Sequence, residues 1–159
     1  MAAKTVSIRR LERDDFTAVV AIDERITGHP RHDYWRDRFE TAESIRPPWA
    51  SMVAELDGRV VGFLLGWSSG WEFGIRGSVG WIDVIGVDPP YRGRGVGRAL
   101  VRAFADGAQE LRSITTIFTL VDSGDSQIHE FFGRLGFTPG KMLHLERRST
   151  LGEGDVGKS

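Results

Sequence analysis

The chain has 159 residues, enough for one domain with a real hydrophobic core and short for two. With 40% hydrophobic and 27% charged residues it has the composition of a soluble globular protein, which excludes disordered and fibrous classes. A net charge of -1 removes the main source of affinity for nucleic acid, and the absence of cysteine excludes disulfides, thiolate zinc sites and a cysteine nucleophile.

No apolar leader follows Met1 and no later run approaches the length of a membrane span, so a cytoplasmic protein without membrane or nucleic-acid partners is expected. Residues 5–10 alternate like a first strand, and Asp14 with Asp15 offers N-cap chemistry to a helix carrying Phe16, Val19, Val20 and Ile22. His29-Pro30 is a break. Tyr34, Trp35 and Phe39 then recur at helical spacing until Pro47-Pro48.

Residues 52–56 and 59–67 are strand-like and flank Asp57-Gly58, a dipeptide suited to a two-residue hairpin turn. Residues 70–77 form a loop, and residues 78–87 are a nearly continuous apolar strand interrupted by Asp83. After Pro89-Pro90 and a glycine-rich turn, Val96, Leu100, Ala103, Phe104, Ala108 and Leu111 define one face of a long helix. Residues 113–121 read as a strand, 126–135 as a short helix and 142–147 as a last strand. One domain over residues 1–148 is expected, with residues 149–159 a disordered tail.

The segment from Val87 to Arg98 carries the strongest chemical signal. A helix start presents backbone N–H groups without intrahelical partners and partial positive charge, which suits an anionic phosphate. Gly93, Gly95 and Gly97 let a ligand approach the backbone, and Arg92, Arg94 and Arg98 add planar cationic forks. Three glycines alone are also explained by a tight strand-to-helix connection; the arginines are not. No Lys-Ser or Lys-Thr pair follows as in a Walker A loop, and the glycine spacing is not that of a dinucleotide fingerprint.

Arg92-x-x-Gly95-x-Gly97 after Ile85-Gly86-Val87 resembles the acyl-CoA signature of the GNAT superfamily of N-acetyltransferases. A second match, Asp125-x-x-Ile128-x-x-Phe131-Phe132-x-x-x-Gly136-Phe137, is similar to the family's late helix and strand. The resemblance implies an α/β (α+β) fold with a mixed, mostly antiparallel, twisted central sheet of six to seven strands flanked by about four helices. It implies acetyl-CoA as cofactor, with the backbone of Ile85 and Val87 pairing with the pantetheine arm and the amides of Gly93, Arg94, Gly95, Val96, Gly97 and Arg98, beside Arg92, holding the pyrophosphate. Ile85 would polarise the thioester carbonyl, and Asp125 and Phe132 would lie on the cofactor side.

An amine of pKa about 10.4 is only roughly one part in a thousand neutral at pH 7, so transfer to a primary amine needs a base. Asp83, on a regular strand, shares a face with Ile85 and Val87, and a bulge would shift that phase. Its structural alternative is a carboxylate bonded to backbone or to an arginine. Glu72 in the loop Trp71-Glu72-Phe73 is the second candidate, against the alternative of a solvated loop residue, and Trp71 with Phe73 would line an acceptor pocket, whose other wall the family resemblance places at residues 22–35.

Many family members have a tyrosine where this chain has Phe132, and Asp125 replaces the usual asparagine. A phenylalanine donates no proton to a departing thiolate; a thiol of pKa about 8.5 leaves as thiolate near neutral pH, and Tyr91 and Tyr34, the only tyrosines, are the substitutes, against the alternative that each is a packing residue. His29 and His32 have the only metal-like spacing, across a proline, and no metal is expected. Direct transfer to a protein or small-molecule amine is the leading expectation; a CoA-binding sensor without turnover is the alternative. The acceptor and the oligomeric state, a homodimer included, stay open.

Overall fold

A computed structural model of the protein describes residues 4–70 and 74–149. The chain falls into two compact units, Met1–Val121 and Asp122–Ser159. The first unit contains β1 (Ser7–Arg10), α1 (Phe16–Thr27), α2 (His32–Ser44), β2 (Ser51–Leu56), β3 (Arg59–Gly70), β4 (Ser78–Val87), α3 (Val96–Arg112) and β5 (Ile117–Thr119). The strands form one sheet in the order β1-β2-β3-β4-β5, antiparallel throughout except for the parallel β4–β5 pair.

The β2–β3 hairpin turns at Asp57 and Gly58, whose φ values of 54° and 74° are the positive pair that its two-residue loop requires. Asp15 departs from the capping role expected of it. Its carboxylate accepts two guanidinium bonds from Arg9, at 2.8 and 2.9 Å, and one from the backbone N–H of Glu12, while giving no side-chain cap to α1.

Each face of the sheet is covered by helix. On one face α1 and α2 bury Val19, Val20, Ile22, Trp35 and Phe39 against Val53, Phe63 and Leu65, with Trp35 and Phe63 in edge contact at 5.0 Å. On the other, α3 lays Val96, Leu100 and Phe104 over glycines. A Cβ on Gly62 would meet Val96 at 2.9 Å, and one on Gly66 would meet the Phe104 ring at 2.4 Å. These strand glycines exist because the helix packs directly on the backbone.

Within the second unit, α4 (Ser126–Arg134) is capped by Asp125, whose Oδ1 accepts from the amides of Gln127 and Ile128 at 3.1 Å each. Phe132 is buried there between the rings of Phe131 and Phe137, both with centroids 5.0 Å away. Residues 142–147, expected as a last strand, form no strand, and Leu143 and Leu145 stand exposed. Their alternation matches a strand, but no partner pairs with them. The described residues thus hold five strands and four α-helices, in place of the six to seven strands expected. No helix among them is long and apolar enough to cross a membrane, and none of their acidic, histidine or cysteine side chains form a group of three suited to a metal ion.

Candidate active site

β4 is paired on both sides only over its first half. Against β5 the register runs from Gly80↔Ile117 to Ile82↔Thr119 and stops, with the Thr119 hydroxyl donating to the Ile82 carbonyl at 3.0 Å. Against β3 it continues to Val87, and the Asp88 N–H donates to the Val61 carbonyl at 2.8 Å. Since peptide groups alternate in direction along a strand, those of Val84, Gly86 and Asp88 face β3, and those of Ile85 and Val87 face the side that β5 has left. An unpaired strand edge of this kind accepts an extended ligand as an added strand.

The edge begins at a bulge. Leu65 pairs with Val84 and Gly66 with Ile82, so Asp83 is the extra residue on β4. Its consequence is a phase change. Val87 opposes Gly62, under α3, and Ile85 shares that face; Val84 opposes Leu65 and packs into the α1/α2 core. Asp83 also faces that side, where Arg38 of α2 and Arg46, two residues past its end, both donate to its Oδ2, the latter at 3.0 Å. The regular-strand expectation that Asp83 shares a face with Ile85 and Val87 is therefore replaced by the bulged alternative. Trp67 and Trp81 stack beside it at 5.6 Å and 10°, with Phe118 edge-on to Trp81 at 5.1 Å.

At the other end of the edge, a 3-10 turn at Pro89–Tyr91 leads into Gly93 and Gly95, with φ of 75° and 80°. Gly95 is the N-cap of α3, no side chain caps the helix, and a Cβ on either glycine would meet only open space within 4 Å. The first amides of α3 are left without intrahelical acceptors. Arg92, Arg94 and Arg98 are exposed, and none has a carboxylate partner among the described residues. Val96 and Gly97 are buried, so they present main chain only.

The structure thus brings Ile85, Val87, Arg92, Gly93, Arg94, Gly95, Val96, Gly97 and Arg98 into one continuous strand, turn and helix, with Asp83 where the open edge starts. Tyr91 lies beyond Val87, with Arg59 and Arg94 over its ring at 5.9 and 5.3 Å. Tyr34 lies on α2, with Arg31 and Arg38 at 4.1 and 4.4 Å. Asp125 and Phe132 belong to the second unit, and Glu72, Trp71 and Phe73 lie outside the described residues.

Three residues went unnoticed in the sequence. Arg38 and Arg46 are two of them, and Asp88 is the third: buried at the start of the turn, it receives a two-pronged bond from Arg25 of α1. Those hydrogen bonds raise the pKa of the Arg25 guanidinium above its ordinary value.

Residues 6–137 match the acetyltransferase (GNAT) family. The chain belongs to this family. Over 145 residues it is 32% identical to a mycothiol acetyltransferase of Thermobispora bispora, a match covering 84% of this chain and 46% of that protein. It spans less than half the length of such curated relatives. In fold it is similar to a transcriptional regulator from Bacillus halodurans C-125, with a TM-score of 0.75, 19% identity and coverage of 91% of this chain and 100% of the other. An aminoglycoside N-acetyltransferase, AAC(6')-Iy, solved with CoA, has a TM-score of 0.76 at 17% identity, with coverage of 92% and 97%. A family member's acceptor is decided by its site, since one fold serves many functions.

Proposed function

We propose that the chain is an acetyl-CoA-dependent N-acetyltransferase acting directly on a primary amine. One observation carries this reading: the open edge of β4 runs without a break into an uncapped helix N-terminus flanked by three arginines that have no carboxylate partner among the described residues. Its donors fit the cofactor's chemistry. Main-chain amides and guanidinium forks suit a diphosphate, the space over Gly93 and Gly95 admits it to the backbone, and an open edge suits an amide-bearing arm.

When bound, acetyl-CoA supplies an activated acetyl thioester. With the diphosphate held at α3, Asp83, four residues from Val87 and about 13 Å along the strand, would lie toward the acyl end. The Ile85 N–H, facing the open side, would donate to the thioester carbonyl, where a preorganised donor contributes about 3 kcal/mol. Asp83 takes the proton of the acceptor ammonium through Oδ1, directly or by a water, because Oδ2 is engaged by Arg38 and Arg46. Phe132 supplies no proton, and a thiol of pKa about 8.5 departs as thiolate near neutral pH. Tyr91 stands at the diphosphate end and serves the turn rather than the transfer.

A CoA-release assay over grouped amines, with wild type, Asp83→Asn and Glu72→Gln, tests the reading. Loss of most of kcat in Asp83→Asn at unchanged CoA affinity supports it; undiminished activity in both variants removes both carboxylates from the mechanism. The phenylalanine at position 132, where many family members have a tyrosine, favours a second reading, a CoA-binding module without turnover, which predicts saturable CoA binding and no transfer to any amine.

A further inference from the structure

On the α1/α2 side of the sheet, arginines are matched to carboxylates of their own. Arg25 has Asp88, Arg31 has Asp23, Arg36 has Asp33, Arg13 has Glu43, and Arg9 has both Asp15 and Glu55. Arg38 and Arg46 depart from this pattern, for they share one oxygen of one carboxylate, Asp83 Oδ2. The trio carries one surplus positive charge.

That surplus is largely shielded from water. The Arg46 side chain is 16% exposed and that of Arg38 26%, and a guanidinium withdrawn from solvent needs partners for its five N–H groups. Among the described residues Arg46 finds only Asp83 and, at 3.3 Å, the Gly66 carbonyl. Arg38 finds Asp83 and the face of Tyr34, while its buried Nε has no hydrogen-bond partner among the described residues. Asp83 Oδ1 has none either among the described residues. On the same face, two residues back along β4, the Trp67–Trp81 stack supplies a flat apolar surface.

These groups complement a zwitterion. A free carboxylate oxygen suits an ammonium, and the unsatisfied guanidinium edges suit a second carboxylate, which arginine binds through paired N–H groups. We infer that the acceptor is a small amine that also carries a carboxylate, an amino acid or short peptide, with Arg38 and Arg46 holding the carboxylate and Asp83 the amine. The inference deepens the proposed function and rests on it, since it takes the start of the open β4 edge as the acyl end. The acceptor's carboxylate relieves Asp83 of part of its arginine contact, so that the base is released by the substrate it serves. A polyamine offers Asp83 an ammonium but has no carboxylate for the two arginines, so its further charges meet the surplus positive charge unscreened.

The test compares acetyl transfer to free amino acids with transfer to the matching amino acid amides, in wild type and in Arg46→Ala, with folding followed by circular dichroism. In wild type, kcat/KM for the acids is expected to exceed that for the amides at least tenfold. Arg46→Ala is expected to reduce that ratio at least tenfold, mainly through KM for the acid, with Arg46→Lys recovering part of it. Arg38→Gln provides the same comparison if Arg46→Ala does not fold. Equal use of acids and amides by wild type, preference for a polyamine, or an equal loss on both acceptors in the variants overturns the inference while leaving acetyl transfer standing. Absence of both CoA saturation and transfer to any amine overturns the underlying reading together with it.

Discussion

Asp88 and Arg25, 63 residues apart, are locked by two hydrogen bonds of 2.7 and 3.0 Å, with Asp88 only 1% exposed. Asp88 also ends β4 and accepts the Tyr91 amide at 2.8 Å, so this pair ties α1 to the turn that precedes α3. The two partners are unequally placed. Removing Arg25 strands a buried carboxylate, whereas removing the Asp88 charge leaves a guanidinium that is 42% exposed and can be solvated. Arg25→Ala is expected to cost roughly 3 kcal/mol and Asp88→Asn less, with the double variant recovering part of the Arg25→Ala loss; urea unfolding measures all three. An equal cost for both single variants would show that the burial asymmetry does not govern the pair.

Gly66 lies where α3 meets the sheet. A Cβ there would sit 2.4 Å from the Phe104 ring and 2.5 Å from the Trp81 carbonyl, and the carbonyl is backbone that has no room to yield. Gly66→Ala is expected to lose about 2 kcal/mol, or about 4–8 °C in Tm for a chain of this length. An unchanged Tm would mean that α3 stands farther from β3 than described.

Acid should weaken the fold through Asp15 and Asp23. Burial pushes both carboxyls up, but the hydrogen bonds and charge of Arg9 on Asp15, and of Arg31 on Asp23, outweigh it and hold each below the ordinary carboxylate value. A folded pKa below the unfolded one contributes stability that is present above the unfolded value, about 3.9, and lost as pH falls through the folded one. Urea midpoints should therefore fall below about pH 4, and Asp15→Asn should lower the neutral-pH midpoint while flattening this dependence. A midpoint that rises on acidification would reverse the sign.

Much of this architecture was legible in the chain. Asp57-Gly58 located the hairpin, Pro89-Pro90 located the end of β4, and the apolar face from Val96 located α3 along most of its length. Those features are local, set by turn geometry and helical period. The bulge at Asp83 is set by pairing with β3, and a single strand's sequence does not reveal its partner's register. Arg38 and Arg46 escaped notice for the same reason, since only the bulge aims Asp83 at α2; the spacing of Tyr34 and Arg38, one helical turn apart, was the available signal. The strand expected at residues 142–147 illustrates the converse. Alternating Met142, His144 and Glu146 with Leu143, Leu145 and Arg147 has the period of a strand, but a strand needs a neighbour to bond.

At the turn itself, Gly95→Ala places a side chain on a backbone with φ of 80°, in the open space proposed for the diphosphate. CoA affinity is expected to fall at least tenfold in this variant, with a stability loss of only about 1–2 kcal/mol. A stability loss without a change in affinity would separate the glycine from the ligand.

The most direct measurement is calorimetric titration of CoA into wild type and into Arg92→Glu/Arg98→Glu. Saturable one-to-one binding by wild type and a loss of at least a hundredfold in the charge-reversed protein are the expected results. A wild type that takes up no CoA, or a charge-reversed turn that binds it equally well, would contradict the assignment of the α3 N-terminus as the diphosphate site.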